Sequence, residues 1–131
     1  MITLRKLTLQ RGVKVLLHQV DLFEGLAVRG TILLNSAHSI DKLGLGGFAR
    51  GVQQYRLITL PATELALKHV GRAVPNAALL GGFAALTGVI ALASVVAAIQ
   101  QKFPAAIAEK NVAAATEAFA LAAKALETSN A

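Results

Sequence analysis

The chain has 131 residues, 55% hydrophobic and 15% charged, with 13 Lys and Arg against 7 Asp and Glu for a net charge of +6. That composition excludes disorder, the length fits one domain, and the lack of any cysteine excludes disulfides and cysteine-ligated iron–sulfur clusters within the chain. The excess charge lies in residues 1–72, but its cations are scattered singly apart from Arg5-Lys6, and with one Tyr and no Trp there is no stacking platform for nucleic acid.

Residues 2–10 alternate apolar with polar and read as a strand with one wet face. They lack the continuous apolar core of a secretory signal. Arg11-Gly12 is expected to turn the chain into a second short strand at 13–17. Residues 20–26 are expected to form a helical turn or two with Asp21 near the start. Gly30 then precedes TILLN at 31–35, an apolar run suited to a buried parallel strand. Residues 36–54 carry Gly44, Gly46, Gly47 and Gly51 and read as a loop. A further strand is expected at 55–60, ended by Pro61 in the first turn of a helix over 62–70. Glu64 suits the positive end of that helix, and Gly71 its C-terminal cap.

Between Arg72 and Lys102 no residue is charged. Read as one element, residues 77–99 form a single membrane span with the basic flank on the cytoplasmic side. Read with its internal punctuation, the run is a pair of buried helices over 76–86 and 90–102, broken at Thr87-Gly88. The second reading is preferred because each helix is too short to cross a bilayer. After Pro104, residues 105–126 form an amphipathic pattern with Ile107, Val112, Phe119 and Leu126 spaced among Glu and Lys.

Candidate chemistry is sparse. His18, His38 and His69 have no companion at metal spacing, and GLGG at 44–47 lacks the spacing and the Lys-Ser/Thr of a phosphate loop. Asn35 and Ser36 stand at the carboxyl end of an expected parallel strand, where open α/β sheets place ligands. Capping of a neighbouring helix explains the same pair. No nucleophile–base pair is apparent, so no catalytic residue is expected in this chain alone.

Three consecutive segments carry a resemblance: GTILLNS at 30–36, YRLITLPATELA at 55–66 and VPNAALLGGFAALTG at 74–88. With Phe103-Pro104 and the NVAAA helix segment at 111–115, their order resembles the gamma subunit or domain of 2-oxoacid:ferredoxin oxidoreductases, the pyruvate and related enzymes. The resemblance spans about residues 20–126 and looks like the C-terminal part of such a subunit. Members usually begin with a Gly-x-Gly-Gly-Gln-Gly turn, and nothing of that type precedes Val20. Residues 1–17 faintly resemble the opening hairpin of ATP-binding cassette proteins, without the phosphate loop that would cradle ATP.

The resemblance implies an α/β fold: a truncated Rossmann-like three-layer domain with a small, mostly parallel sheet and a helical C-terminal half. It implies one domain over 1–131, with atypical strands at 1–19 and a gamma-like region at 20–126. It further implies a cytoplasmic, non-catalytic subunit of a complex that converts a 2-oxoacid and coenzyme A to acyl-CoA, carbon dioxide and reduced ferredoxin. Thiamine diphosphate, iron–sulfur clusters and coenzyme A are then expected in the assembled complex with thiamine-binding and ferredoxin-type subunits, not in this chain alone. Asn35, Ser36, Thr63 and Asn76 are the candidate cofactor contacts, the last two because they fall in the family's Ala-Thr and Asn-Ala motifs, although helix capping explains them as well. The competing expectations are a small membrane protein and an orphan α/β interaction module.

Overall fold

The computed structural model describes residues 3–11, 14–24, 30–39, 42 and 56–129, and the chain divides into two units, Met1–Gly30 and Thr31–Ala131. In the first unit β1 (Thr3–Arg11) pairs antiparallel with β2 (Lys14–Glu24). Arg11 lies opposite Lys14 and Thr3 opposite Glu24, and the unequal strand lengths are absorbed by shifts of register. Of the helical turn expected at 20–26, residues 20–24 are instead the end of β2, where Val20 pairs with β1, and residues 25 and 26 lie outside the described residues. Val20, Asp21 and Leu22 alternate with period two, and ladder bonds to a long partner strand outweigh a short helical preference that has no nucleus of its own.

In the second unit β3 (Thr31–Asn35) and β4 (Arg56–Leu60) run parallel and in register, from Thr31 beside Arg56 to Asn35 beside Leu60. The Ser36 amide continues the ladder by donating to the Leu60 carbonyl at 2.9 Å. Parallel neighbours need a crossover, and most of the chain that makes it, including the GLGG stretch at 44–47, lies outside the described residues.

Pro61 leads from β4 directly into α1 (Ala62–His69). Glu64 occupies the first turn of α1 and Lys68 and His69 the last, each complementing the helix dipole. The helix stops at Gly71, whose φ of +82° is the left-handed conformation glycine adopts without strain. The Gly71 amide donates to the Ala66 carbonyl at 3.1 Å.

The uncharged run forms two helices, α2 (Asn76–Thr87) and α3 (Leu92–Lys102). The break is where it was expected. Gly88 has φ +66°, and its amide donates to the Ala84 carbonyl at 3.0 Å. Thr87 Oγ1 donates to the Phe83 carbonyl and accepts from the Val89 amide, so the turn is held on both sides. At about 1.5 Å per residue neither helix exceeds about 18 Å, against roughly 30 Å of hydrocarbon. A single span over 77–99 is therefore contradicted, and among the described residues no helix is long and apolar enough to cross a membrane.

Pro104 starts α4 (Ala105–Ser129), which packs against α1, α2 and α3. Its buried side is unlike the one the sequence pattern suggests. Ala108, Asn111, Ala115, Ala118 and Ala122 form the seam, while Ile107 is 45% exposed and Val112, Phe119 and Leu126 are half-buried. The reason is the nearness of α2. A Cβ built on Gly81 would lie 2.1 Å from the Ala115 carbonyl oxygen, so the two backbones nearly touch and only small side chains fit between them. One core cluster joins Leu60 and Leu65 to Ala114 and Ala118, and another joins Val95 and Ile99 to Ala108 and Ala115.

Candidate functional site

Asn35 and Thr63 meet at the carboxyl end of the parallel pair, and Ser36 follows Asn35 in the chain. Asn35 Nδ2 donates to Thr63 Oγ1 at 2.8 Å, and Asn35 Oδ1 accepts from the Thr63 amide at 3.2 Å. Pro61, which precedes α1, has no side-chain oxygen to satisfy the free amides of the first turn. The neighbouring strand supplies that oxygen through Asn35, so the cap also ties β3 to α1. Ser36 Oγ accepts from the His38 amide at 3.0 Å and closes a local turn. Asn76 lies elsewhere, exposed at the start of α2.

Asn76 instead lines an open groove of about 680 Å³. Its walls come from the α1–α2 connection, the first turn of α2, the end of α3 and the start of α4. Val74, Leu80, Ile99, Phe103 and Ile107 give it an apolar floor, and Arg72, Lys102 and Lys110 place positive charge at its edges. Among the described residues no carboxylate lines it. Asn111, buried at the same place, donates from Nδ2 to the Ile107 carbonyl at 3.0 Å and so has a local partner. Sequence reasoning missed this groove. The available signal was apolar residues in the connections themselves, Val74 and Phe103, each within two residues of a cation.

A third polar cluster joins α1 to α4. Lys68 Nζ donates to both oxygens of Glu117 at 2.9 and 3.0 Å, and His69 Nε2 meets Oε2 of the same carboxylate. The hydrogen bond from Lys68, then that to His69, holds the Glu117 carboxyl below the ordinary glutamate value, against a smaller opposing effect of burial.

The fold is that of an α/β unit in which parallel strands are backed by helices, with its polar strand ends on one side and an electropositive apolar groove between helix ends. The sequence model of the pyruvate ferredoxin/flavodoxin oxidoreductase family matches residues 12–121, and the chain belongs to that family. It is 36% identical over 100 residues to the pyruvate synthase subunit PorC of Methanothermobacter marburgensis, covering 76% of this chain and 51% of that protein. It is 36% identical over 104 residues to the common subunit gamma of the pyruvate/ketoisovalerate oxidoreductases of Thermococcus kodakarensis, covering 79% and 55%. The chain thus spans about half the length of the curated relatives it matches. The crystal structure of the pyruvate oxidoreductase subunit PORC from Thermotoga maritima superposes with a TM-score of 0.61 over 76% of this chain and 54% of that one, at 24% identity, and shares the fold. The resemblance read from the sequence and the α/β class are both borne out. The family match starts at residue 12 and so takes in β2 as well.

The iron–sulfur clusters and the diphosphate-bound metal that the family's chemistry implies find no matching donor set among the described residues. The irons of a cluster take thiolates, and the chain has no cysteine. Among the described residues no group of three His, Asp or Glu could hold a metal ion such as the one that bridges a diphosphate.

Proposed function

We propose that the chain serves as a non-catalytic gamma-type subunit of a 2-oxoacid:ferredoxin oxidoreductase. Such a complex decarboxylates a 2-oxoacid oxidatively with coenzyme A, giving acyl-CoA, carbon dioxide and reduced ferredoxin. The observation that carries the reading is the family match over residues 12–121; the PorC and gamma-subunit names of the relatives support it.

In this reading thiamine-binding and ferredoxin-type companion subunits hold the thiamine diphosphate and the iron–sulfur clusters. The lack of cysteine here agrees with that division of labour. The gamma-type chain packs on the thiamine-binding subunits as one domain, and the complex works in the cytoplasm. Asn35, Ser36 and Thr63 lie at the strand ends where an α/β sheet meets ligand. They, rather than Asn76, would adjoin coenzyme A if this subunit covers part of its site. The test is co-expression of the tagged chain with the thiamine-binding and ferredoxin-type chains encoded beside it. Retention of both through size-exclusion chromatography is expected, and elution of this chain without either overturns the reading.

A further inference from the structure

Large apolar side chains on the groove between the α1–α2 connection and the α3–α4 turn are strongly exposed: Val74 43%, Leu80 39%, Phe103 39% and Ile107 45%. A concave cluster of this kind marks a surface that something covers. The edges say what charge the occupant has. Arg72, Lys102 and Lys110 are exposed on the same groove, and among the described residues no carboxylate pairs with them. An occupant with an apolar stripe and acidic flanks would bury the floor and satisfy the rim together.

We propose that this groove docks an acidic amphipathic segment of a companion subunit, an inference that rests on the proposed role in a heteromeric complex. Apolar side chains of the segment seat on Leu80, Phe103 and Ile107, and its Asp and Glu meet Arg72, Lys102 and Lys110. A second copy of this chain is a poor occupant, because with 13 Lys and Arg against 7 Asp and Glu it brings more of the charge the rim already carries. A small molecule fits less well too. Ligand sites of that kind enclose most of their guest, whereas Val74, Leu80, Phe103 and Ile107 here are each about two-fifths exposed. Helix-in-groove recognition lays an apolar helix face into an apolar groove.

The test uses the full chain and a fluorescein-labelled peptide with leucines along one helical face and glutamates on both flanks, beside a counterpart with lysines in place of the glutamates. Fluorescence anisotropy should show the glutamate peptide binding at least about tenfold more tightly, with weakening as salt is raised. Lys102→Glu with Lys110→Glu, both exposed, should reverse the preference without unfolding the chain. Leu80→Ser should weaken both peptides. Equal binding of the two peptides, no binding of either, displacement by decanoate alone, or a dimer that dissociates in the double charge variant each overturns the proposal. The same variant is then tested in the complex. Retention of the companion subunits at wild-type strength sinks the docking assignment and leaves the subunit role standing. A wild-type chain that prefers the acidic peptide yet retains no companion sinks the subunit role instead.

Discussion

Substituting Gly81 by Ala tests how α2 and α4 are held together. The added Cβ would stand 2.1 Å from the Ala115 carbonyl oxygen and 2.8 Å from its carbonyl carbon, where ordinary carbon–oxygen contact needs about 3.3 Å. The obstruction is backbone within a long helix and has no rotamer to escape into, so the helices must separate by roughly 1 Å. A gap of that size forfeits a quarter to a half of the dispersion attraction along the seam, which includes Ala84, Ala108, Ala115 and Ala118. Overpacking of this kind costs about 3 kcal/mol, and the better helix propensity of Ala offsets about 1 kcal/mol. The expected net loss is about 2 kcal/mol, or about 6–10 °C in Tm for a domain of this size. Urea unfolding followed by circular dichroism should show a lower midpoint at unchanged slope. Adding Ala115→Gly should not rescue the variant, because the clash is with the carbonyl and not the methyl group. Gly82→Ala is the control. Its Cβ meets the Leu60 Cδ2 at 2.6 Å, the far end of a side chain that can shift, and should cost under about 1 kcal/mol. Wild-type stability in Gly81→Ala would refute the close helix crossing.

Other substitutions probe the remaining junctions. Asn35→Ala removes the cap that Thr63 receives from the neighbouring strand and should lower stability by about 1 kcal/mol, read as a shift in urea midpoint, while Asn35→Asp keeps an acceptor and most of that stability. Glu117→Gln should cost under about 1 kcal/mol near neutral pH, since the carboxylate is a third exposed. Its pKa is lowered in the folded state, so its contribution is full above the ordinary glutamate value and fades as pH falls through the lowered one; thermal melts of the two proteins should converge in acid. Ala118→Leu places a bulky group in a fully buried part of the alanine seam and should cost about 3 kcal/mol by the same unfolding assay.

How legible each part was depends on whether its cause is local. Pro61, Gly71, Pro75 and Gly88 act through their own backbone, so the ends of α1 and α2 and the division of the uncharged run follow from sequence alone. Residues 20–24 depend on a partner strand, and a window of seven residues does not contain it. The alanine seam of α4 escaped notice for a similar reason. Periodicity weights large apolar residues, whereas the approach of Gly81 to Ala115 makes the small ones the buried set. At the candidate site, Asn35 was recognisable as a capping type, but its pairing with Thr63 needs the parallel register of β3 and β4. The groove draws on segments more than thirty residues apart, Val74 and Ile107 among them, and only the folded helix bundle brings its apolar floor and its cations together.

The proposed role makes this chain a non-catalytic subunit of a 2-oxoacid:ferredoxin oxidoreductase. Its most direct measurement is pyruvate- and coenzyme A-dependent reduction of ferredoxin by the companion subunits, purified without this chain and then with it added back, with other 2-oxoacids run in parallel. Activity that is low without the chain and restored by stoichiometric addition with at least one 2-oxoacid is the expected result. Full activity in its absence, or none restored by adding it, contradicts the assignment.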